Sequence, residues 1–514
     1  MKKIFYICLL LVSTIMVQSC IDDLDTEPLV ELTLDELLAQ DPDAIEGITS
    51  RLYASFALSG PDGPGSSDIS DDAGESPFLR GIVNLQDFTA DGMKNRWGDD
   101  GLDQLTTTSD WDENNKFFRY MYNRIYYTIP QANNLMQVLN NVDFDDKIQV
   151  SAEVRFIRSL AYYYLIDCFG KGVLSTEENL GASAPLPEAS RVELFNYVES
   201  ELLAIENDLP DSNSYGRANK SVGRMLLAKL YLNAEVYTGT PRYDNAATFI
   251  SKVINEGGYM LANDFVSNFS GDNYNSSEII YPLIADADFS QSYGNTTYIV
   301  NGSTSTETMT LLDFGTNDGW SGHRASKGWY GLFNEVGELA SDDRAKLFWT
   351  EGHTYEMEDY KNWGDGYPSI KYRNTNFVGS SIATAFSSTD FPLFRLSDAY
   401  LMYAECAIRG AAGADLGTAL GYVNQVRNRS NASSISSNEL TLNFIMDERG
   451  RELNLEGHRR SDLIRFGKFT GGSYLWPWKG NTLNGAAIPD TYKLFPIPLT
   501  ALEANLNLKQ NPGY

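Results

Sequence analysis

Apolar residues recur at helical spacing, every three or four positions, through the first half and the last quarter of the chain. These stripes predict helices over residues 42–59, 114–140, 154–168, 191–208, 222–234, 243–256, 401–408 and 416–429. Gly and Pro residues end most of the stripes, for example Gly170, Pro210 and Gly257. Pro130 is expected to break the second helix, because proline lacks the backbone N–H that an α-helix needs.

Helical spacing fades between residues 261 and 390, where Gly, Ser, Asn, Thr and aromatic residues dominate. Residues 278–284 and 367–373 are predicted to be short strands. A second irregular stretch covers residues 60–111. Long irregular segments in a compact protein usually carry function. We therefore expect a helical scaffold with two loop-rich inserts that build the working surface.

Two segments share one pattern of helix, Gly-containing turn and helix. They are residues 226–257 and 401–429. Helix pairs of this length resemble tetratricopeptide repeats, although neither segment carries the full consensus. An unrelated helical bundle is the alternative. The predicted fold class is mainly α, with a tetratricopeptide-like scaffold and a few short strands.

The N-terminus has the pattern of an export signal. Lys2 and Lys3 precede an apolar run over residues 4–17. This run is too short for a transmembrane helix, which needs about 20 apolar residues, and it is typical of a signal peptide. The residues before Cys20 resemble a bacterial lipobox, and the acidic pair after it resembles a Bacteroidetes surface-export signal. We expect a signal peptide over residues 1–19, a lipid on Cys20, a tether over 20–40 and one domain over 41–514.

Charge and cysteine content narrow the class of protein further. The net charge is −29, and it becomes −31 without Lys2 and Lys3, because residues 1–19 hold no Asp or Glu. This charge excludes nucleic acid and anionic lipid surfaces as partners.

Cys168 and Cys406 lie in helical patterns and are expected to be buried free thiols. A disulfide between them is the alternative.

Catalytic and metal-binding patterns are weak. The three histidines, His323, His353 and His458, have no partner at metal-ligand spacing, and neither a Gly-x-Ser-x-Gly motif nor a Walker A loop is present. We expect no catalytic residue, metal or cofactor. A glycosidase that uses two carboxylates stays open among 69 Asp and Glu residues, and the Asp-rich loop at 62–72 leaves calcium as a minor alternative.

The C-terminal third carries a family resemblance. Its ordered motifs are FPLFRLSD at 391–398, VNQVRNR at 423–429, ERGREL at 448–453, EGHRRSDL at 456–463, LFPIP at 494–498 and NLKQNPGY at 507–514. The chain resembles the SusD/RagB family of Bacteroidetes outer-membrane lipoproteins. The resemblance implies a cell-surface protein that binds an oligosaccharide or polysaccharide, delivers it to a SusC-type TonB-dependent transporter and is not an enzyme. A peptide-binding member of the same family is the alternative.

Many motif residues are charged, and they could be mistaken for an anion site. We interpret them as a structural ion network, because several have helical pairing distances. The residues are Arg395, Asp398, Asp447, Glu448, Arg449, Arg451, Glu452, Glu456, Arg459, Arg460 and Asp462.

Candidate ligand-binding residues lie in the two inserts. A neutral sugar needs flat aromatic surfaces together with carboxylates, amides and Arg for its hydroxyls. Residues 87–99 have this chemistry and resemble the family segment in which a Trp forms one wall of the glycan site. The candidates are Trp97, Asn95, Arg96 and Asp99 here, with Trp329, Trp320 and Tyr298 in the middle insert. Trp97 and Trp329 are expected to be exposed, and Trp349 is expected to be buried.

Overall fold

A computed structural model describes residues 44–70 and 72–514. The predicted leader, Cys20, the tether and the predicted helix start at Pro42 lie outside the described residues. The chain divides into two compact units, residues 1–49 and 50–514. Only residues 44–49 of the first unit are described, and they are helical. The contacts discussed below all lie within the second unit.

The described part of the chain is mainly helical. In chain order the α-helices are α1 (Ala44–Ala57), α2 (Phe78–Ile82), α3 (Leu102–Thr107), α4 (Lys116–Asn141), α5 (Lys147–Cys168), α6 (Arg191–Ile205), α7 (Lys220–Leu232), α8 (Ala234–Thr238), α9 (Tyr243–Glu256), α10 (Thr296–Gly302), α11 (Lys327–Tyr330), α12 (Leu396–Ile408), α13 (Leu416–Arg429), α14 (Leu442–Leu453), α15 (Arg459–Arg465) and α16 (Leu499–Ala504). A π-helix, Val83–Phe88, follows α2 directly.

The long helices pack on one another in chain order. Helix α5 lies between α4 and α6, α7 packs on α9, α9 packs on α12, and α12 packs on α13 and α14. The pairs α7/α9 and α12/α13 are the two segments with the shared helix–turn–helix pattern. Each pair buries one apolar stripe against its neighbours, as in stacked repeats. The predicted mainly-α, tetratricopeptide-like fold is confirmed.

Helix α4 runs without interruption through Pro130, so the predicted break is wrong. Proline removes one backbone hydrogen bond, but the residues on both sides of it stay in the core. Ile129 and Ala132 are buried, and α4 packs along α5. Tertiary packing of this helix therefore outweighs the local cost of proline.

Strands are few and short in the part of the chain that the structure describes. The six are β1 (Met93–Asn95), β2 (Gly172–Val173), β3 (Glu188–Ala189), β4 (Ile279–Leu283), β5 (His323–Ala325) and β6 (Phe391–Arg395). Within the described residues they form three antiparallel pairs, β1–β5, β2–β3 and β4–β6. Strand β4 confirms the prediction for residues 278–284. The strand predicted over 367–373 is wrong, because that segment makes only isolated bridges, from Tyr367 to Ala325 and from Ser369 to Phe348.

A buried ion network joins α12, α14 and α15 to the inserts. Arg395 contacts Glu278, Glu452 and Glu456, and all four side chains are buried. Elsewhere Arg449 bridges Asp398 and Asp462, and Arg344 bridges Glu448 and Glu452. The interpretation of the motif charges as structural is confirmed for these residues. Cys168 and Cys406 are both buried and free.

Candidate functional site

Three partly exposed aromatic side chains lie side by side and form a surface that we call the aromatic row: Trp97, Trp320 and Tyr293. The ring centroids of Trp97 and Trp320 are 6.2 Å apart, and those of Trp320 and Tyr293 are 6.4 Å apart. Successive ring planes are tilted by 56° and 44°. Tyr293 is 42% exposed, and both Trp residues are half-buried. The row is therefore an accessible apolar surface that turns from ring to ring.

Pairing of β1 with β5 brings distant parts of the chain together at the row. Asn95 lies opposite His323, so that Trp97 just after β1 meets Trp320 just before β5. The indole N–H of Trp97 donates to the backbone carbonyl of Trp320 at 3.0 Å. The backbone N–H of Trp97 donates to Asn95 Oδ1 at 2.8 Å. Both bonds fix the orientation of the Trp97 ring.

A buried polar layer supports the row from below. The Trp97 ring packs on Tyr298 and His323, at centroid distances of 5.8 and 5.0 Å. His323 Nε2 lies 2.9 Å from the carbonyl oxygen of Tyr298, and its Nδ1 lies 2.9 Å from Asn95 Nδ2. A carbonyl only accepts, so Nε2 carries the proton and Nδ1 accepts from the Asn95 amide. Burial, helped by the nearby Arg80 charge, lowers the pKa of His323 to about 3, and the ring stays neutral.

Charged side chains border the row. Arg80 lies over the rings of Tyr298 and Trp97, with its Cζ 4.4 and 5.8 Å from their centroids, and it reaches Asp99 at 3.7 Å. At the middle of the row, the exposed Asp318 accepts the indole N–H of Trp320 at 2.8 Å. Arg80 is only 7% exposed, whereas Asp99 and Asp318 are accessible and place hydrogen-bonding groups beside the aromatic surface. This is the combination that a sugar-binding site needs.

Arg96 adds a further charged group close to Trp97. It forms an ion pair with Glu307 at 3.1 Å, and both side chains are solvent-accessible. Its guanidinium also lies over the ring of Trp363, with Cζ 5.6 Å from the centroid. The Arg96 fork is therefore held in place while part of it remains accessible.

Comparison with known proteins gives the family. A profile of the SusD family matches residues 237–514, more than half of the chain. A second profile, described as starch-binding and associating with the outer membrane, matches residues 82–232. The chain is also 32% identical to the starch-binding protein SusD of Bacteroides thetaiotaomicron, over 100% of this chain and 99% of that protein. The chain belongs to the SusD family.

Solved structures of the SusD superfamily share the fold. One from Parabacteroides distasonis has a TM-score of 0.72 and 22% identity, and the match covers 94% of this chain and 100% of that chain. Surface glycan-binding protein A from Bacteroides thetaiotaomicron, in complex with laminarihexaose, has a TM-score of 0.69 and 19% identity, with 91% and 99% covered. At these identities the matches establish the fold.

The structure places two of the predicted ligand-binding residues of this SusD-family protein inside the protein. Asn95 is 1% exposed and Tyr298 is 0% exposed, so neither side chain is accessible to a ligand on the surface. Both were predicted as direct contacts, and the structure instead gives them supporting positions under Trp97. All three residues of β1 and all seven of α10 are buried, and the sequence alone did not show that these elements lie wholly inside the protein.

Trp329 is also buried, so the predicted exposure of its ring is wrong. It is 3% exposed, and its ring meets the ring of Phe348 at a centroid distance of 5.0 Å. Lys371 Nζ lies 5.9 Å from the centroid of the same ring. Trp349, predicted to be buried, is half-buried and packs on the cluster of Met309, Phe314 and Trp363. Trp329 therefore belongs to the core of the middle insert.

Sequence reasoning missed Tyr293 and Arg80. Tyr293 lies in a loop between Ser292 and Gly294, and an aromatic residue between two small residues was the available signal in the sequence. Arg80 lies in α2, where nothing in the sequence pointed to Trp97 or Tyr298.

In the part of the chain that the structure describes, no group of three His, Cys, Asp or Glu side chains could hold a metal ion. The same part contains no helix long and apolar enough to cross a membrane.

Replacing His323 with glutamine tests the neutral state of this ring. Below about pH 6.5 the unfolded chain binds a proton at His323 that the folded protein does not bind, so this residue lowers stability as the pH falls. His323→Gln should be less stable than the wild type at neutral pH. The deficit should shrink by about 1.4 kcal/mol per pH unit below about pH 6. Urea unfolding over a pH series measures it.

The exposed Asn317→Gln, measured in the same series, should keep a constant offset from the wild type, since it changes no titratable group. If the unfolding free energies of His323→Gln and the wild type stay parallel at all pH values, His323 is not held neutral.

Proposed function

We propose that this protein binds starch-type α-glucan chains on the aromatic row at the cell surface and delivers them to a SusC-type TonB-dependent transporter. The observation that carries the proposal is the row itself, with its tilted and accessible rings. The name of the relative from Bacteroides thetaiotaomicron, a starch-binding protein at 32% identity, supports starch as the class of ligand.

The chemistry of the row suits a curved sugar chain. The C–H faces of successive sugar rings stack on aromatic rings, while the sugar edges offer hydroxyls. The planes of Trp97, Trp320 and Tyr293 turn by 56° and 44° at the two steps, so the row follows a coiled chain better than a flat ribbon. Asp99, Asp318 and the Arg96–Glu307 pair are solvent-accessible and supply partners for the hydroxyls, and the 7% of Arg80 that is exposed lies beside Asp99.

The proposed role of the protein is to capture the glycan and not to cleave it. Two carboxylates beside the row already have structural partners: Asp318 accepts the Trp320 indole N–H, and Asp99 faces Arg80. A glycosidase needs one free acid and one free base or nucleophile on opposite sides of a sugar bond. Relatives named for binding starch and glycans also support a binding role.

The lipid on Cys20 is part of the same proposal. Acyl chains would hold the protein at the outer membrane, where a transporter could receive the glycan. A Cys20→Ser variant expressed in the native host should leave the membrane fraction, whereas a Cys168→Ser variant should stay in it. Recovery of Cys20→Ser in the membrane fraction at the wild-type level would contradict the anchor.

Titration calorimetry against starch oligosaccharides, laminarin oligosaccharides and mixed peptides tests the proposed function, with an assay for new reducing ends afterwards. Saturable binding to the starch series without new reducing ends supports it. Binding to laminarin alone would change the glycan, and binding to peptides alone would replace the glycan as cargo. New reducing ends would make the protein a glycosidase and overturn the capture role.

Replacing Gly322 with alanine tests the row without removing an aromatic ring. A β-carbon on residue 322 would lie 2.3 Å from the Trp97 indole, so the ring has to move. We expect starch-oligosaccharide affinity to fall about tenfold and the unfolding free energy to fall by about 1–3 kcal/mol. Gly421→Ala is the matched control, because a β-carbon there meets nothing within 4 Å. Unchanged affinity in Gly322→Ala would show that the position of Trp97 does not matter for binding.

A further inference from the structure

A further half-buried Trp, Trp478, is presented by a loop over residues 471–489, which we call the Trp478 loop. The loop is closed at its base by a bridge between Gly471 and Ile488. Inside it, the Lys479 ammonium donates to the carbonyls of Gly471 and Tyr474 at 3.0 and 2.8 Å. Lys479 is itself buried. The loop is thus held by its own hydrogen bonds before any ligand arrives.

The backbone of Trp478 is in the left-handed region, with φ 70° and ψ 2°. A bulky residue rarely adopts this conformation, because it crowds the β-carbon against the backbone, whereas Gly and Asn adopt it easily. Its backbone N–H is satisfied by the carbonyl of Thr482 at 3.0 Å. Strain of this kind is concentrated at functional sites. The backbone conformation alone would favour Gly or Asn here, so we attribute the presence of Trp to a function of its side chain.

The Trp478 ring has the features of a stacking surface. Its indole N–H donates to the carbonyl of Met357 at 3.0 Å, and Tyr360 meets the ring edge to face at 4.9 Å. These contacts fix the orientation of the ring and leave it half-buried. On the same loop, Leu475 and Leu483 are also exposed.

A chain of short contacts joins Trp478 to the Trp97 end of the aromatic row. Lys361 follows Tyr360 in the sequence, and its ammonium lies 5.7 Å from the centroid of the Tyr360 ring. The same ammonium pairs with Asp103 at 2.8 Å and lies 3.5 Å from the position of a β-carbon on Gly98, the residue after Trp97. The Lys361–Asp103 pair is solvent-accessible, and Lys361 lies close both to the residue after Trp97 and to the Tyr360 ring that packs on Trp478.

We propose that Trp478 is a second stacking platform for the same glycan, which binds the part of a long chain that extends past Trp97. This inference rests on the proposed function of the aromatic row. The Lys361–Asp103 pair would meet sugar hydroxyls between the two surfaces. A short oligosaccharide fills the row alone, and only a long chain reaches both platforms. Linked contacts of this kind raise affinity for the long ligand without changing affinity for the short one.

The test compares maltotriose with amylose on the purified protein and on Trp478→Asn. Asparagine suits the left-handed backbone, so the loop keeps its conformation while the ring is removed. We expect an unchanged dissociation constant for maltotriose and an about tenfold weaker one for amylose. Trp478→Phe, which keeps a stacking ring, should recover part of the amylose affinity. Leu483→Ala, an exposed change on the same loop, should bind both ligands like the wild type.

Thermal melting of each variant separates loss of the platform from loss of the fold. Amylose affinity equal to that of the wild type in a folded Trp478→Asn would overturn the inference and leave the proposed function standing. Equal weakening for both ligands would also overturn it, since Trp478 would then act through the row. Failure of the wild type to bind either ligand would overturn the proposed function together with the inference.

Discussion

Replacing Trp320 with alanine is expected to weaken starch-oligosaccharide binding about 30- to 100-fold. Trp320 is the central ring of the aromatic row, with Trp97 on one side and Tyr293 on the other. Its removal interrupts the stacking surface at the point where a bound chain would touch all three rings. Calorimetric titration of the wild type and the variant with one oligosaccharide measures the effect.

The fold should tolerate this change. Trp320 is half-buried, and its indole N–H bonds only to the exposed Asp318, so we expect the unfolding free energy to fall by about 1 kcal/mol. Trp320→Phe keeps a ring and should retain most of the affinity. Phe289→Ala serves as the surface control, because Phe289 is 91% exposed and lies outside the row. Wild-type affinity in a folded Trp320→Ala would remove the row from the binding site.

Arg395→Ala is expected to lower the unfolding free energy by about 3–5 kcal/mol. The guanidinium is buried and contacts three buried carboxylates, with Glu278 at 2.8 Å and both Glu452 and Glu456 at 2.6 Å. Removing it leaves three negative charges in a region with little water and one fewer cation to balance them. Urea unfolding at neutral pH measures the loss.

A surface ion pair provides the matched control for Arg395. Lys346 pairs with Asp343 at 2.7 Å, and both side chains are at least a third exposed. Lys346→Ala should change the unfolding free energy by about 0.5 kcal/mol or less, because water screens the pair. If Arg395→Ala and Lys346→Ala unfold at the same urea concentration, the buried network does not stabilise this fold as we describe.

Local patterns in the sequence predicted the helical scaffold well, because each long helix buries a regular stripe. In α5, Val154, Ile157, Ala161 and Leu165 are all fully buried, as their spacing indicated. The continuous helix through Pro130 could not be predicted in this way. Its stability depends on packing against α5, and a local pattern carries no information about that neighbour.

The site was only partly predictable, since its contacts join residues far apart in the chain. Trp97 was predicted as a candidate from the family resemblance and Trp320 from its place in the loop-rich insert, but their contact depends on the pairing of β1 with β5. Tyr293 joins the row through a loop whose path the sequence does not reveal. Trp329 has a similar loop setting to Trp97, yet it packs on Phe348 inside the insert.

The location of a bound starch oligosaccharide in a crystal structure tests the central claim most directly. The account predicts sugar rings stacked on Trp97, Trp320 and Tyr293, with hydroxyls near Arg80 and Asp318. A sugar bound with full occupancy elsewhere on the protein, while the aromatic row stays open to solvent, would contradict it.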